Sequence, residues 1–559
     1  MNVGNSYQAI QKMGESEKMY LRSLEIREQL AKWNPAQFEP DLARTAMNLG
    51  IFYYTNQKMG EAEKMYLRSL DICDRLAKAN PAQFEHDLAA TAMNLGNFYY
   101  TNQKMGEAEK MYLRSLEIYD RLAKANPSQF EPDLAATAMN LGNFYKAVQK
   151  MGEAEKMYLR SLEIRDRLAK ANPAQFEPDL ARTAMNLGNF YSDVQKMGES
   201  EKMYLRSLDI YDRLAKANPA QFEPNLARTV MNLGNFYKVV QKMGESEKMY
   251  LRSLDIYDRL AKANPAQFEP DLARTVMNLG NFYKVVQKMG ESEKMYLRSL
   301  DIYDRLAKAN PAQFEPDLAM TARNLGIFYS DVQKMGESEK MYLRSLDIYD
   351  RLAKANPAQF EPNLATTAMN LGNFYHTVQK MEESEKMYLR SLDIYERLAQ
   401  SNPAQFEPAL VTTAMNLGIF YSDNNRQKEA ISILHKGLII RQKLAEAKPI
   451  IYTKLLAFAY NNLGFAYLKD EDFYNARKCL EKSQSLKADN SWVFRNWACF
   501  FALQNDLEKS IENLHKSATL GYDDPAWIKK EKSLDAIRTH SSYPAILTAI
   551  EENKRKKQM

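Results

Sequence analysis

Between Gly106 and Lys124 the apolar and small side chains Ala108, Met111, Tyr112, Ser115, Leu116, Tyr119, Leu122 and Ala123 recur at i, i+3, i+4 and i+7. That spacing predicts a helix with one buried stripe, opened by Glu107 and Glu109 and stopped by Asn126-Pro127. A second helix is predicted from FEPDLA onward: Pro132 suits the first helical position, Asp133 the positive first turn, and helix-favouring residues run from Leu134 to about Gln149. Gly142 lies inside it at a cost of about 1 kcal/mol against Ala. With about 100° per residue and Asn140 at zero, Ala138, Leu141, Gly142 and Tyr145 share one side, the packed one. Asn140 itself and the positions four before it and three and seven after it share the opposite side.

The pattern returns along the chain. Asn-Leu-Gly begins at Asn48, Asn94, Asn140, Asn186, Asn232, Asn278, Asn324, Asn370, Asn416 and Asn462, a step of 46 each time. The interior glycine returns with it, and a cost paid in every unit implies close helix packing there. Such a period marks an all-α solenoid, because one unit cannot bury its own core and must stack on its neighbours. The expected organisation is tandem 46-residue helix pairs over 1–450, two 34-residue units over 451–523, and a C-terminal cap with a basic tail over 524–559. The shorter step runs from Asn462 to Asn496, and Asp524-Pro525 opens the cap that carries Trp527, Ile528, Leu534, Ile537 and Ile546. The tail Lys554-Arg555-Lys556-Lys557 reads as a solvated end. Met1 falls within a unit, with Asn2-Val3-Gly4 one step before Asn48, so the first pair is expected to be a trimmed cap or part of a longer array.

The set Leu95, Gly96, Tyr99, Ala108 and Tyr112 resembles the tetratricopeptide repeat. It departs from that pattern in having Ala92 where the repeat carries Trp and in its period of 46. The stretch Ala365 to Gly372, ATTAMNLG, is most similar to the long repeats of the kinesin light chain type. The resemblance implies a right-handed superhelix of about twelve antiparallel helix pairs whose first helices line a concave groove. It also implies binding of an extended peptide or protein segment, with no catalysis; the alternative is a structural rod that self-associates through an open N-terminal end.

Candidate groove residues are the asparagine pairs Asn94 with Asn97, Asn140 with Asn143, Asn186 with Asn189, Asn232 with Asn235, Asn278 with Asn281, and Asn370 with Asn373. Their amides suit the N–H and C=O groups of a bound backbone. For the triplet Asn a bond across to the next repeat's helix is an equal alternative. At the position three later, Ile51, Ile327 and Ile419 replace Asn, which points away from a packing role. Charge is added by Arg44, Arg182, Arg228 and Arg274 four residues before the triplet, by Lys146, Lys238 and Lys284 six after it, and by Arg323 one before it. Asp193 and Asp331 interrupt this basic face, whose natural ligand is an acidic segment or a carboxylate terminus.

The totals exclude several other classes. The 76 basic and 71 acidic residues leave a net charge of +5, too dilute over this surface to predict nucleic-acid binding. Cys73, Cys479 and Cys499 suit a reducing, cytoplasmic setting. No apolar run approaches the roughly 18 residues of a membrane span, and no signal segment opens the chain, although an array trimmed at Met1 would have lost any leader. His86, His376, His435, His515 and His540 lack ligand spacing, and nucleotide-binding or nucleophile motifs are missing. Neither metal nor cofactor is therefore expected, and no enzyme. The recurring Met residues, such as Met105 and Met111, read as core filler, and Glu107, Glu109 and Asp120 as exposed ion pairs with Lys110, Arg114 and Arg121.

Overall fold

The computed structural model describes residues 13–56, 58–487 and 489–558, which form 25 α-helices, one short 3-10 helix and no strand. The expected trimmed first pair and open N-terminal end involve residues 1–12, which lie outside the described residues. The chain is an all-α solenoid that divides into two compact units, Met1–Phe282 and Tyr283–Met559.

In the first unit, helices of 21 residues follow one another: Met13–Trp33, Pro35–Thr55, Met59–Ala79, Pro81–Thr101, Met105–Ala125, Pro127–Ala147 and so on to Met243–Ala263. The first helix of each pair starts five residues earlier than the sequence reading placed it. Pro127, not Pro132, takes the first position, so the expected connector is the opening turn of a helix and Pro132 lies inside it. In the helices opened by Pro35, Pro173, Pro219, Pro357 and Pro403 a reciprocal cap supports this start, while before Pro127 Asn126 makes the amide bond to Gln129 at 2.8 Å without the cap bond. In the pair opened by Pro173, Asn172 accepts from the Gln175 backbone N–H at 3.4 Å while its own amide donates to Gln175 Oε1 at 3.0 Å. Pro in the first position needs no N–H partner.

Between first and second helix the chain reverses in three residues. Gln149 adopts a left-handed conformation (φ 64°) while Lys150 N–H reaches back to Tyr145 O at 2.8 Å, the geometry that closes a helix C-terminus. This reversal lays Tyr158 of the second helix on the bare backbone of the first: a Cβ on Gly142 would lie 3.0 Å from Tyr158 Cδ1. The same ring meets Phe190 of the next repeat at 5.1 Å between centroids. Tyr158 and Phe190 are fully buried, and aromatic rings contribute much of the apolar area a repeat hides from water.

The second unit continues with 21-residue helices to Pro449–Lys469, then shortens to Phe473–Leu486, Ser491–Leu503 and Leu507–Thr519. A cap of Pro525–Lys530, the 3-10 turn Lys532–Ile537 and Tyr543–Gln558 places Ile528, Leu534, Ile537, Ile546 and Ile550 against Val493, Ala498, Phe500 and Leu514. The basic tail is the last turns of that final helix, and Lys557 pairs with Asp523 at 2.6 Å.

Candidate peptide-binding face

Each first helix buries the side holding its Leu, Gly and Tyr; in the second pair Ala92 and Leu95 are fully buried and Tyr99 nearly so. The opposite side carries the two asparagines. The triplet Asn bridges repeats: Asn94, Asn140, Asn186 and Asn278 point Nδ2 at the thioether of the preceding repeat's Met47, Met93, Met139 and Met231, at 3.5, 3.6, 3.8 and 3.5 Å. A bond between repeats is thus present at these four, but to the preceding repeat rather than the next and to a weak acceptor. Those Met residues serve as acceptors as well as filler.

The second asparagine has a packing role that the isoleucine substitutions had argued against. The Tyr112 hydroxyl donates to Asn97 Oδ1 at 2.7 Å, Tyr158 to Asn143 at 2.7 Å, Tyr204 to Asn189 at 2.5 Å, Tyr250 to Asn235 at 2.5 Å and Tyr388 to Asn373 at 2.6 Å. Where Ile419 replaces Asn, Leu434 replaces the tyrosine, whereas Ile51 and Ile327 leave Tyr66 and Tyr342 in place without this asparagine. The Nδ2 groups of these five asparagines have no protein acceptor among the described residues, which leaves two donors each on the outward side. Burial raises the pKa of every one of these tyrosines, holding the hydroxyl protonated as the donor.

The basic positions separate into neutralised and uncompensated ones. Arg44 pairs with Asp41 at 3.0 Å, Arg182 with Asp179 and Arg274 with Asp271, each one turn earlier on its own helix. Lys146 pairs with Asp193 and Lys284 with Asp331 of the following repeat. Arg228 has Asn225 where those Asp residues stand and touches the Tyr257 hydroxyl instead. Lys238 has no ion pair among the described residues, and burial lowers its pKa. Arg323 takes a Met position between repeats and has Nη1 buried without a hydrogen-bond partner, so it does not add to the basic face. Positive charge therefore concentrates on the helix Pro219–Val239, which carries Arg228, Asn232, Asn235 and Lys238.

Away from this face, the expected ion pairs within second helices are mostly pairs across repeats. Glu109 receives Lys150 at 2.7 Å and Asp120 receives Arg160, while Arg114 reaches back to Asp74. No group of His, Cys, Asp and Glu suited to a metal occurs among the described residues, and none of their helices is long and apolar enough to cross a membrane.

The tetratricopeptide repeat model matches residues 42–81, 88–127, 134–173, 180–219, 364–403 and 410–448, and a second model of the same repeat matches 459–490. The chain is a tetratricopeptide-repeat protein. The matches end just beyond each second helix, so the repeat consists of the helix hairpin described above, closed by the Gly–Tyr contact. No curated protein sequence matches the chain. Among solved structures it is similar to BtubC (BKLC) from P. vanneervenii, at 23% identity over 45% of this chain and 92% of that one, TM-score 0.38. Yeast Tom70 aligns at 13% identity over 93% and 97%, TM-score 0.35, and apo RapI at 13% over 56% and 99%, TM-score 0.38.

Sequence reasoning missed one further variable position, on the second helices. Residues 27, 73, 119, 165, 211, 257, 303, 349, 395 and 441 are in register and read Arg, Cys, Tyr, Arg, then five Tyr and Arg. Aligning the second helices as the first had been aligned would have exposed it.

Proposed function

We propose that this tetratricopeptide-repeat protein is a non-enzymatic interaction module that holds an extended, acidic segment of another protein along its first-helix face. The observation that carries the reading is the helix Pro219–Val239, where uncompensated Arg228 and half-buried Lys238 flank Asn232 and Asn235. A carboxylate gains charge-assisted hydrogen bonds from the cations, and the asparagine amides meet the peptide backbone, so that charge selects and amides hold. Within the same unit Asn94, Asn97, Asn140, Asn143, Asn186, Asn189, Asn278 and Asn281 extend that contact, with Arg182 and Arg274 contributing less because their own Asp partners compete; Asn370, Asn373 and Lys284 offer the same chemistry in the second unit. A cytoplasmic setting suits the thiols: burial pushes the Cys479 pKa up to about 11 and that of Cys499 to about 12, which keeps both protonated and unreactive.

Selection of a random peptide library on the full chain tests the reading. The wild type should enrich acidic segments, and a variant carrying Arg228→Glu and Lys238→Glu should not. The same peptides emerging from both, or no acidic enrichment, contradicts it.

A further inference from the structure

Six repeats place a tyrosine ring at one position of the second helix: Tyr119, Tyr211, Tyr257, Tyr303, Tyr349 and Tyr395. Where the bond is resolved, the hydroxyl donates to the carbonyl of the proline inside the paired first helix. Tyr211 reaches Pro178 at 3.0 Å, Tyr349 reaches Pro316 at 3.1 Å and Tyr395 reaches Pro362 at 3.1 Å, always 33 residues back. Three repeats hold Arg27, Arg165 and Arg441 instead. Cys73 is the small exception, and Pro40 lies 33 residues before it.

The missing ring leaves a cavity of about 240 Å³ lined by Pro40, Ala43, Met47, Cys73, Phe84 and Thr91. An apolar cavity of roughly 150 Å³ already admits benzene, so this one has room for a phenol. Its floor is buried: Ala43, Cys73 and Phe84 are 3%, 3% and 9% exposed. The rim includes Arg44, His86 and Asp87, all exposed, and Ala90. Ala90 and Arg44 stand four residues before a triplet Asn, the position that Arg182, Arg228 and Arg274 occupy on the candidate binding face. The neighbouring first helix also differs here, with His86 in place of the internal proline. His86 is held by Tyr119 and Phe130 at 5.8 and 5.7 Å between ring centroids.

We propose that this cavity is a binding pocket for a tyrosine side chain of a partner, its ring seated over Cys73 and its hydroxyl donating to the Pro40 carbonyl as Tyr211 does to Pro178. The cavity stands at the position where six sister repeats supply a ring from within, and its acceptor keeps the same register. Delivery of that tyrosine by a bound segment rests on the groove reading; the pocket itself does not.

Two probes test it on the full chain: p-cresol, the tyrosine side chain alone, and N-acetyltyrosinamide, the same ring on a backbone. Both should bind saturably to the wild type and to Cys73→Ala, raising the thermal midpoint, with toluene weaker because it cannot reach Pro40. Cys73→Tyr, which fills the cavity with the sister repeats' own residue, should abolish the binding. Ala90→Leu should weaken it from the rim without altering the floor, which keeps the test open if Cys73→Tyr folds poorly. No saturable binding of either probe by the wild type overturns the proposal, as does binding that survives both Cys73→Tyr and Ala90→Leu. Neither probe needs the basic helix, so Arg228→Glu with Lys238→Glu should leave this binding intact; loss of peptide selection alone would fall on the groove reading.

Discussion

Gly142 and Gly152 lie ten residues apart and have opposite roles. At Gly142 an added Cβ would press on the Tyr158 ring at 3.0 Å, whereas at Gly152, in the exposed first turn of the second helix, nothing lies within 4 Å. Gly142→Ala should therefore destabilise by about 1–3 kcal/mol through overpacking. Gly152→Ala should stabilise by up to about 1 kcal/mol, because the unfolded chain loses freedom and helix propensity rises; denaturant unfolding of the two variants reads both signs. The interior glycine was legible as a packing point because its cost recurs in every unit. The double duty of Asn143 was not, since its acceptor is used by a tyrosine 15 residues on. Helical periodicity describes which face a residue takes but not whether a long side chain from the partner helix reaches its edge.

The helices themselves are longer than the stripe of buried residues indicates. Both members of the pair Pro173–Asp193 and Met197–Ala217 have 21 residues, and Asn172-Pro173-Ala174-Gln175 caps the first helix at once after the preceding second helix ends. An internal proline argued for a later start, yet the helix Pro81–Thr101, with His86 at that place, has the same length. The signal was present in the sequence as a cap residue followed three later by Gln, and the second proline outweighed it. Between elements, Lys150 lies 5.5 Å from the Tyr145 ring centre and pairs with Glu109 of the preceding second helix. Both charges are partly solvated, so a double-mutant cycle on Lys150→Met and Glu109→Gln should give a coupling of only about 0.2–1 kcal/mol, smaller still in high salt. A larger, salt-independent coupling would mean that these ladders hold the stack, a part assigned here to the Tyr–Gly and Tyr–Phe contacts.

Across the whole molecule those tyrosines make stability depend on alkaline pH. Burial raises the Tyr66 pKa to about 12 and those of Tyr112, Tyr158, Tyr204 and Tyr250 further. A folded-state pKa above the unfolded value near 10 means that the unfolded chain releases its protons first. This contribution is complete below about pH 10 and is lost as pH rises through the folded values, at about 1.4 kcal/mol per pH unit for each group titrating. Helix content should stay level from about pH 7 to 9 and then collapse together with the larger part of the tyrosinate absorbance, that of the buried rings, after a small early rise from exposed ones such as Tyr474; ionisation of the larger part with helices intact would contradict the burial. The solenoid was legible from its period, but the charge balance of its binding face was not. Arg182, Arg228 and Arg274 look alike in the sequence, and only the Asp one turn before the first and third, replaced by Asn225 before the second, separates them. The most direct test of the binding account is calorimetric titration of the strongest selected acidic peptide into the wild type, into Arg228→Glu with Lys238→Glu, and into a control with equal charge change on second helices, Lys110→Glu with Lys202→Glu. The account predicts affinity lost in the first variant and kept in the control; equal affinities in all three, or equal losses in both variants, would contradict it.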